Sequence, residues 1–243
     1  MPLRSGPLLE VFDRLLAVHG PQRWWPAESP FEVIVGAVLT QNTTWANASR
    51  AIDNLKASGR LSAAALRQES LAELAELLRP AGYFNAKARK LKAIGEYLGM
   101  YGDDLDRLFR SKPLPELRRE WLGVHGVGPE TADAILLYAG GLPTFVVDAY
   151  TIRVLSRLGW ISSASSYRDV QTYFHSRLKP DRELYNEFHA LLDAHAKHIC
   201  RKSAPACDRC PLLDMCATGR DRKALTAAST SPGGSPRPRR ARR

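Results

Sequence analysis

The chain has 243 residues, 44% of them hydrophobic, enough for one large or two modest domains around a sizeable core. No apolar run approaches the roughly 20 residues that span a bilayer, so no membrane partner is expected. A formal charge of +10 points instead to a polyanion, with nucleic acid foremost.

That charge is uneven. Eight Lys/Arg and one Asp between Arg220 and Arg243 make +7, which leaves +3 for residues 1–219. The end, STSPGGSPRPRRARR, is basic and rich in Pro, Gly and Ser. Residues 220–243 are therefore expected to form a disordered tail, serving solubility or nucleic-acid contact. The start, MPLRSGPLLEVFDRLLAVHG, carries acids in its apolar stretch and no small-residue cleavage site. It reads as an amphipathic helix rather than a signal peptide, which implies a cytoplasmic protein, nucleoid-associated in a bacterium.

In chain order, LLEVFDRLLAVHG places Leu8, Val11, Phe12, Leu15 and Leu16 on one helical face and stops at Gly20. Pro30 opens FEVIVGAVLTQ, apolar almost all round, which predicts a buried central helix. Its β-branched residues also suit a strand. Helices are further predicted near 44–57, 70–79, 85–101, 115–122, 129–140, 149–158, 166–178 and 181–199. Gly and Pro punctuate them at Gly59, Pro80, Gly82, Pro113, Gly140, Gly141, Pro143 and Pro180. No hairpin dipeptide separates alternating apolar runs, so the fold is expected to be all-α.

Residues 125–140, HGVGPETADAILLYAG, form a glycine turn before a helix. Gly126 and Gly128 allow positive φ and close approach of backbone amides to a ligand. Pro129 suits the first helical position, and the helix start then offers a phosphate site. No Gly-Lys-Ser/Thr follows, so this is not a P-loop. Ala132, Ile135, Leu136 and Ala139 share the face expected to be core. Glu130 lies opposite, towards solvent or a cleft, where an acid also suits the helix dipole. Next, LPTFVVDAYTIRVLSRLG sets Asp148 after a short strand-like run and directly before a helix. Asp148 is suited to cap that helix, or to hold a carboxylate that orients water or stabilises a developing cation.

All four cysteines fall in CRKSAPACDRCPLLDMC, as Cys200-x6-Cys207-x2-Cys210-x5-Cys216. In a reducing compartment this pattern means a metal centre rather than disulfides. Zinc and an iron–sulfur cube both suit four thiolates, and spacing leaves both open. Arg201 and Lys202 project from the same loop as candidate phosphate contacts.

The hairpin LGVHGVGPETAD, the Asp eighteen residues after Glu130 and the cysteine loop, in this order, resemble the helix-hairpin-helix (HhH-GPD) DNA glycosylases, specifically the endonuclease III branch. The resemblance covers roughly residues 8–216. It implies a two-domain all-α fold with a DNA cleft between the parts. Residues 28–141 would form a helical barrel ending in the hairpin. Residues 1–27 plus 142–219 would form the cluster domain. It also implies a [4Fe–4S] cluster on Cys200, Cys207, Cys210 and Cys216, and a monomer acting on double-stranded damaged DNA. The hairpin amides at Gly126 and Gly128 would hold one phosphate, and Gln41 of TQNTTW would fill the gap left by a flipped base. Asp148 matches the family's catalytic aspartate.

One departure is informative. Endonuclease III carries a nucleophilic lysine in G-V-G-x-K-T-A, and this chain has Glu130 at that position. Glutamate forms no Schiff base, so a monofunctional glycosylase with weak or absent lyase activity is expected. Without covalent help, easily lost bases are favoured, such as 3-methyladenine. Trp24, Trp25 and Pro26 of RWWPAESP, with Trp45, resemble the aromatic base pocket of the 3-methyladenine glycosylase subgroup. The same tryptophans would also serve as core anchors. Glu130 itself either poises water or simply stands in for the lysine. The competing expectations are a bifunctional endonuclease III-like enzyme on oxidised pyrimidines and a non-catalytic damage binder.

Overall fold

The computed structural model describes residues 6–221, so most of the basic tail lies outside the described residues. No strand occurs among the described residues, and the all-α expectation holds. The helices are α1 Pro7–His19, α2 Pro30–Leu39, α3 Trp45–Ala57, α4 Ala63–Gln68, α5 Leu71–Leu77 and α6 Phe84–Gly99. They continue as α7 Leu105–Arg110, α8 Leu114–Gly123, α9 Pro129–Ala134, α10 Ala149–Leu158, α11 Tyr167–His175 and α12 Arg182–His198.

Two short helices, α4 and α7, are absent from the sequence reading. Each has six residues, too few for a helical period to show, and each starts from a side-chain cap, Ser62 or Asp104. The ambiguity over FEVIVGAVLTQ resolves as helix. Ser29 caps α2, and every residue from Glu32 to Leu39 is buried. Glu32 is tolerated inside because Lys56 lies 3.0 Å from its carboxylate. The strand-like run before Asp148 is extended but pairs with no other strand.

Helix α2 occupies the centre, against α3, α6 and the end of the hairpin helix. Helices α4 and α5 pack on α6. The N-terminal α1 packs on α12, which also receives α10. Phe12 of α1 meets Phe188 of α12 edge-on, with centroids 5.5 Å apart.

The hairpin helix changes period. After Ala134 the backbone adopts a π turn over Ile135–Ala139, and Gly140 N–H reaches back to Ile135 O at 3.0 Å. Asp133, Ala134 and Leu137 are buried along with Ala132, Ile135 and Leu136. The expected core position Ala139 is only half-buried. A π turn inserts one residue per turn, so the side chains beyond it are re-aimed relative to an α-helical wheel.

Candidate functional site

The hairpin is built from α8, the turn and α9. Val127 N–H donates to Val124 O at 3.1 Å and closes the turn. Gly126 has φ +82°, a conformation favouring glycine, and a Cβ there would lie 2.2 Å from Lys90 Cγ. Gly128 differs from the sequence expectation. Its φ is −92°, so no positive φ demands glycine there. A Cβ on Gly128 would meet no atom within 4 Å. The protein itself therefore leaves the space over Gly128 open. Pro129 occupies the first helical position as expected, and no side chain caps this helix start. Its free amides are left for an anion.

Gln41, the proposed gap filler, is tied to the hairpin. Its amide nitrogen donates to Thr131 Oγ1 at 2.9 Å and Gly126 O at 3.3 Å. Its amide oxygen accepts from Lys90 Nζ. The nearby Lys87 is buried, and its ammonium donates to Leu39 O and Ala81 O at 2.9 and 2.8 Å. Burial, with the Lys90 charge, pushes its pKa down to about 8. Both lysines near the hairpin thus have their nitrogens engaged.

Asp148 caps α10, its Oδ1 accepting from Thr151 N–H at 2.7 Å. The cap and the functional reading coexist, because Oδ2 remains for other partners. Glu130 is exposed on the hairpin helix, yet protein atoms around its carboxyl strip part of its hydration. That partial desolvation, reinforced by the Asp148 carboxylate, pushes its pKa up to about 7. Glu130 and Asp148 thus lie within electrostatic reach of each other.

The tryptophans do come together. Ring centroids are 5.2 Å apart for Trp24–Trp25 and 5.7 Å apart for both Trp24–Trp45 and Trp25–Trp45. All three are half-buried and Pro26 is exposed beside them. Trp25 also approaches Tyr138 of the π turn at 5.4 Å. This wall is apolar, aromatic and linked to the carboxylates through Tyr138.

Sequence reasoning missed three groups. Tyr138 and His189 were invisible because the π turn and α12 bring them together, with Tyr138 Oη 2.7 Å from His189 Nδ1. Asp133, fully buried, was passed over as a letter of the helix. It accepts a bidentate pair from Arg118 at 2.8 and 2.9 Å. It also accepts from Thr144 Oγ1 at 3.0 Å, Tyr167 Oη at 2.7 Å and Gln171 Nε2 at 2.8 Å. This network joins the hairpin, the extended run and α11. It fixes the backbone that delivers Asp148. An acid three residues after Glu130, at the border of the face predicted to be apolar, was the available signal.

The four cysteines are free thiols that border one small hollow, shared with Arg157, Ile199 and Gly219. Among the described residues, no three His, Cys, Asp or Glu side chains gather as a single-ion site would require. Donors aim at the sulfurs instead. Arg157 Nη1 lies 3.3 Å from Cys200 Sγ, and Gly219 N–H donates to Cys216 Sγ at 3.3 Å. Burial pushes the Cys210 thiol up to about 11 and raises that of Cys216. Arg201 and Lys202 are exposed, and their carbonyls accept from Arg157 at 2.8 and 3.0 Å.

Residues 35–180 match the model of the HhH-GPD superfamily base excision DNA repair protein. A candidate DNA repair glycosylase of Methanocaldococcus jannaschii is 44% identical over 210 residues, covering 86% of this chain and 95% of its own. Endonuclease III of Sulfolobus acidocaldarius is 32% identical, covering 76% of this chain and 81% of its own. A trapped endonuclease III–DNA covalent intermediate superposes with a TM-score of 0.76 at 23% identity, covering 90% of this chain and 100% of that one. The 3-methyladenine DNA glycosylase of H. pylori, bound to 1,N6-ethenoadenine, gives 0.68 at 25% identity, covering 79% and 98%. Among the described residues, no helix is long and apolar enough to cross a membrane. The matched hairpin, the carboxylate that follows it and these relatives lead to one conclusion: the chain belongs to the HhH-GPD superfamily of base excision DNA repair proteins.

Proposed function

We propose that this protein is a monofunctional DNA glycosylase that removes alkylated purines of the 3-methyladenine kind from double-stranded DNA, acting as a monomer. The observation that carries the reading is Glu130 at the hairpin position where a lysine would stand, near enough to Asp148 to feel its charge. Cleavage of the N-glycosidic bond develops positive charge on the sugar. Asp148, held by the α10 amide, stabilises that charge and accepts a proton from the attacking water. The bonding electrons leave with the base. An N-alkylated purine leaves readily because it departs neutral from a cationic state.

The triad of Trp24, Trp25 and Trp45, with Pro26, supports an alkylated base, since a cation over an indole face gains about 0.5–2 kcal/mol. The open backbone at Gly128 beside Gly126 supports a phosphate contact, and exposed Arg201 and Lys202 extend it. The packing of α1 on α12 supports two lobes, 28–141 against 1–27 plus 142–219.

The donor set of the cysteine loop suits a polynuclear iron–sulfur group. Four thiols surround a hollow rather than one point, and buried thiols need a cationic centre to become thiolates. Cys200, Cys207, Cys210 and Cys216 would hold a [4Fe–4S] cluster. When bound, the cluster cross-links the loop beneath α10 and α12.

A second reading has specific support, because the Sulfolobus relative is an endonuclease III. Base release over duplexes carrying alkylated purines, oxidised pyrimidines or mismatched thymine decides between them, with Asp148→Asn as the control. Release of the alkylated purine by wild type alone is expected. Equal inertness of both proteins, with damaged duplex still bound, would establish a binding protein instead.

A further inference from the structure

We infer that His189 is a positioning residue for Asp148, holding the carboxylate's second oxygen through its Nε2–H. The inference rests on the reading of Asp148 as the group that activates water.

Three observations meet at this histidine. Its Nε2 lies 3.8 Å from Asp148 Oδ2, with both side chains largely buried, at 12% and 16% exposure. Its Nδ1 lies 2.7 Å from Tyr138 Oη. Its Nε2 is buried and has no hydrogen-bond partner. With the Tyr138 hydroxyl as donor to Nδ1, the ring hydrogen lies on Nε2, the tautomer that turns a donor rather than a lone pair towards Asp148. That hydrogen then has one acceptor ahead of it. The gap is longer than a hydrogen bond and too short to seat a water between the two atoms. Such contacts in substrate-free sites commonly close when the substrate binds.

The placement depends on two elements. The π turn Ile135–Ala139 aims Tyr138 at α12, and α12 carries His189 to the start of α10. The charged groups around them are accounted for. Glu130 faces Asp148 from the hairpin helix. Glu187 accepts from Gln22 N–H at 2.6 Å, and Asp193 pairs with Lys197 at 2.7 Å.

In the reaction, water forms the bond to the sugar carbon as the carbon–nitrogen bond breaks. The electron pair leaves with the base, and the water's proton passes to Asp148. His189 exchanges no proton. With Oδ1 held by Thr151 N–H and Oδ2 by His189, the carboxylate has one orientation towards the water.

The test is single-turnover base release from duplex DNA containing 7-methylguanine, measured from about pH 5 to 8. Full-length wild type, His189→Ala, His189→Gln and Tyr138→Phe are compared, with duplex affinity measured in parallel. His189→Ala is expected to slow release by about 10- to 100-fold with duplex affinity nearly unchanged. His189→Gln, which keeps an N–H donor, should restore most of the rate, and Tyr138→Phe should fall between. Two results would overturn the inference alone, with wild type active: a wild-type rate in His189→Ala, or Gln as impaired as Ala. Should His189→Ala not fold, the Gln and Phe variants decide by the same two readouts. An inert wild type would instead overturn the glycosylase reading beneath it.

Discussion

The hairpin and the cysteine loop are both irregular segments at helix ends, yet they are finished in opposite ways. At the hairpin the interior is complete. Asp133 is saturated by Arg118, Thr144, Tyr167 and Gln171, while the outer surface at Gly128 is left bare. At the cysteine loop the outer carbonyls are satisfied by Arg157, while the interior is a hollow edged by thiols. One region is organised around something that arrives from outside, the other around something built within. On the proposed function, chemistry belongs to the first and scaffold to the second.

The sharpest way to break that contrast is to disable each side separately. Asp148→Asn should reduce base release by about 10²- to 10⁴-fold while duplex affinity and thermal midpoint stay near wild type. Comparable loss of stability would place Asp148 among structural caps alone. Asp133→Ala should cost about 3–5 kcal/mol, because it leaves the half-buried Arg118 guanidinium and the hydroxyls of Thr144 and Tyr167 without their acceptor; denaturant titration measures it. On the other side, Cys210→Ser should lower bound iron and the thermal midpoint together, read by metal analysis and calorimetry.

Smaller effects sharpen the comparison within the hairpin. Gly126→Ala should destabilise by about 1–3 kcal/mol, since it strains φ and meets the Lys90 stem. Gly128→Ala should leave the midpoint unchanged and weaken duplex binding, because the added methyl meets no protein atom. Smallest is the pH effect of Glu130. Its folded pKa, near 7, lies above the carboxylate's ordinary value. The folded state therefore gains from protonated Glu130 at low pH, and that gain is lost as pH rises through about 7. Glu130→Gln should flatten the stability profile over this interval.

What was legible in the sequence is what is encoded locally. Gly126, Pro129, Asp148 and the cysteine spacing each follow from a short-range rule, and the structure places them at the turn, the helix start, the cap and the hollow. The rest depended on tertiary placement. Tyr138 sits beyond a π turn that no α-helical wheel reveals. His189 looked like part of the approach to Cys200 until α12 brought it beside Asp148. Gly128 needs no positive φ, so of the two reasons read for it in the sequence only close approach of a ligand is left. Helices α4 and α7 were too short for their period to register.

The central claim is that Glu130 stands where a nucleophile would, so that the base is removed and the strand is spared. Borohydride trapping on a duplex from which wild type releases alkylated base tests it most directly. The account predicts base release with no covalent protein–DNA adduct and an intact strand. A trapped adduct with wild type would contradict it and assign the attack to an amine such as Lys90.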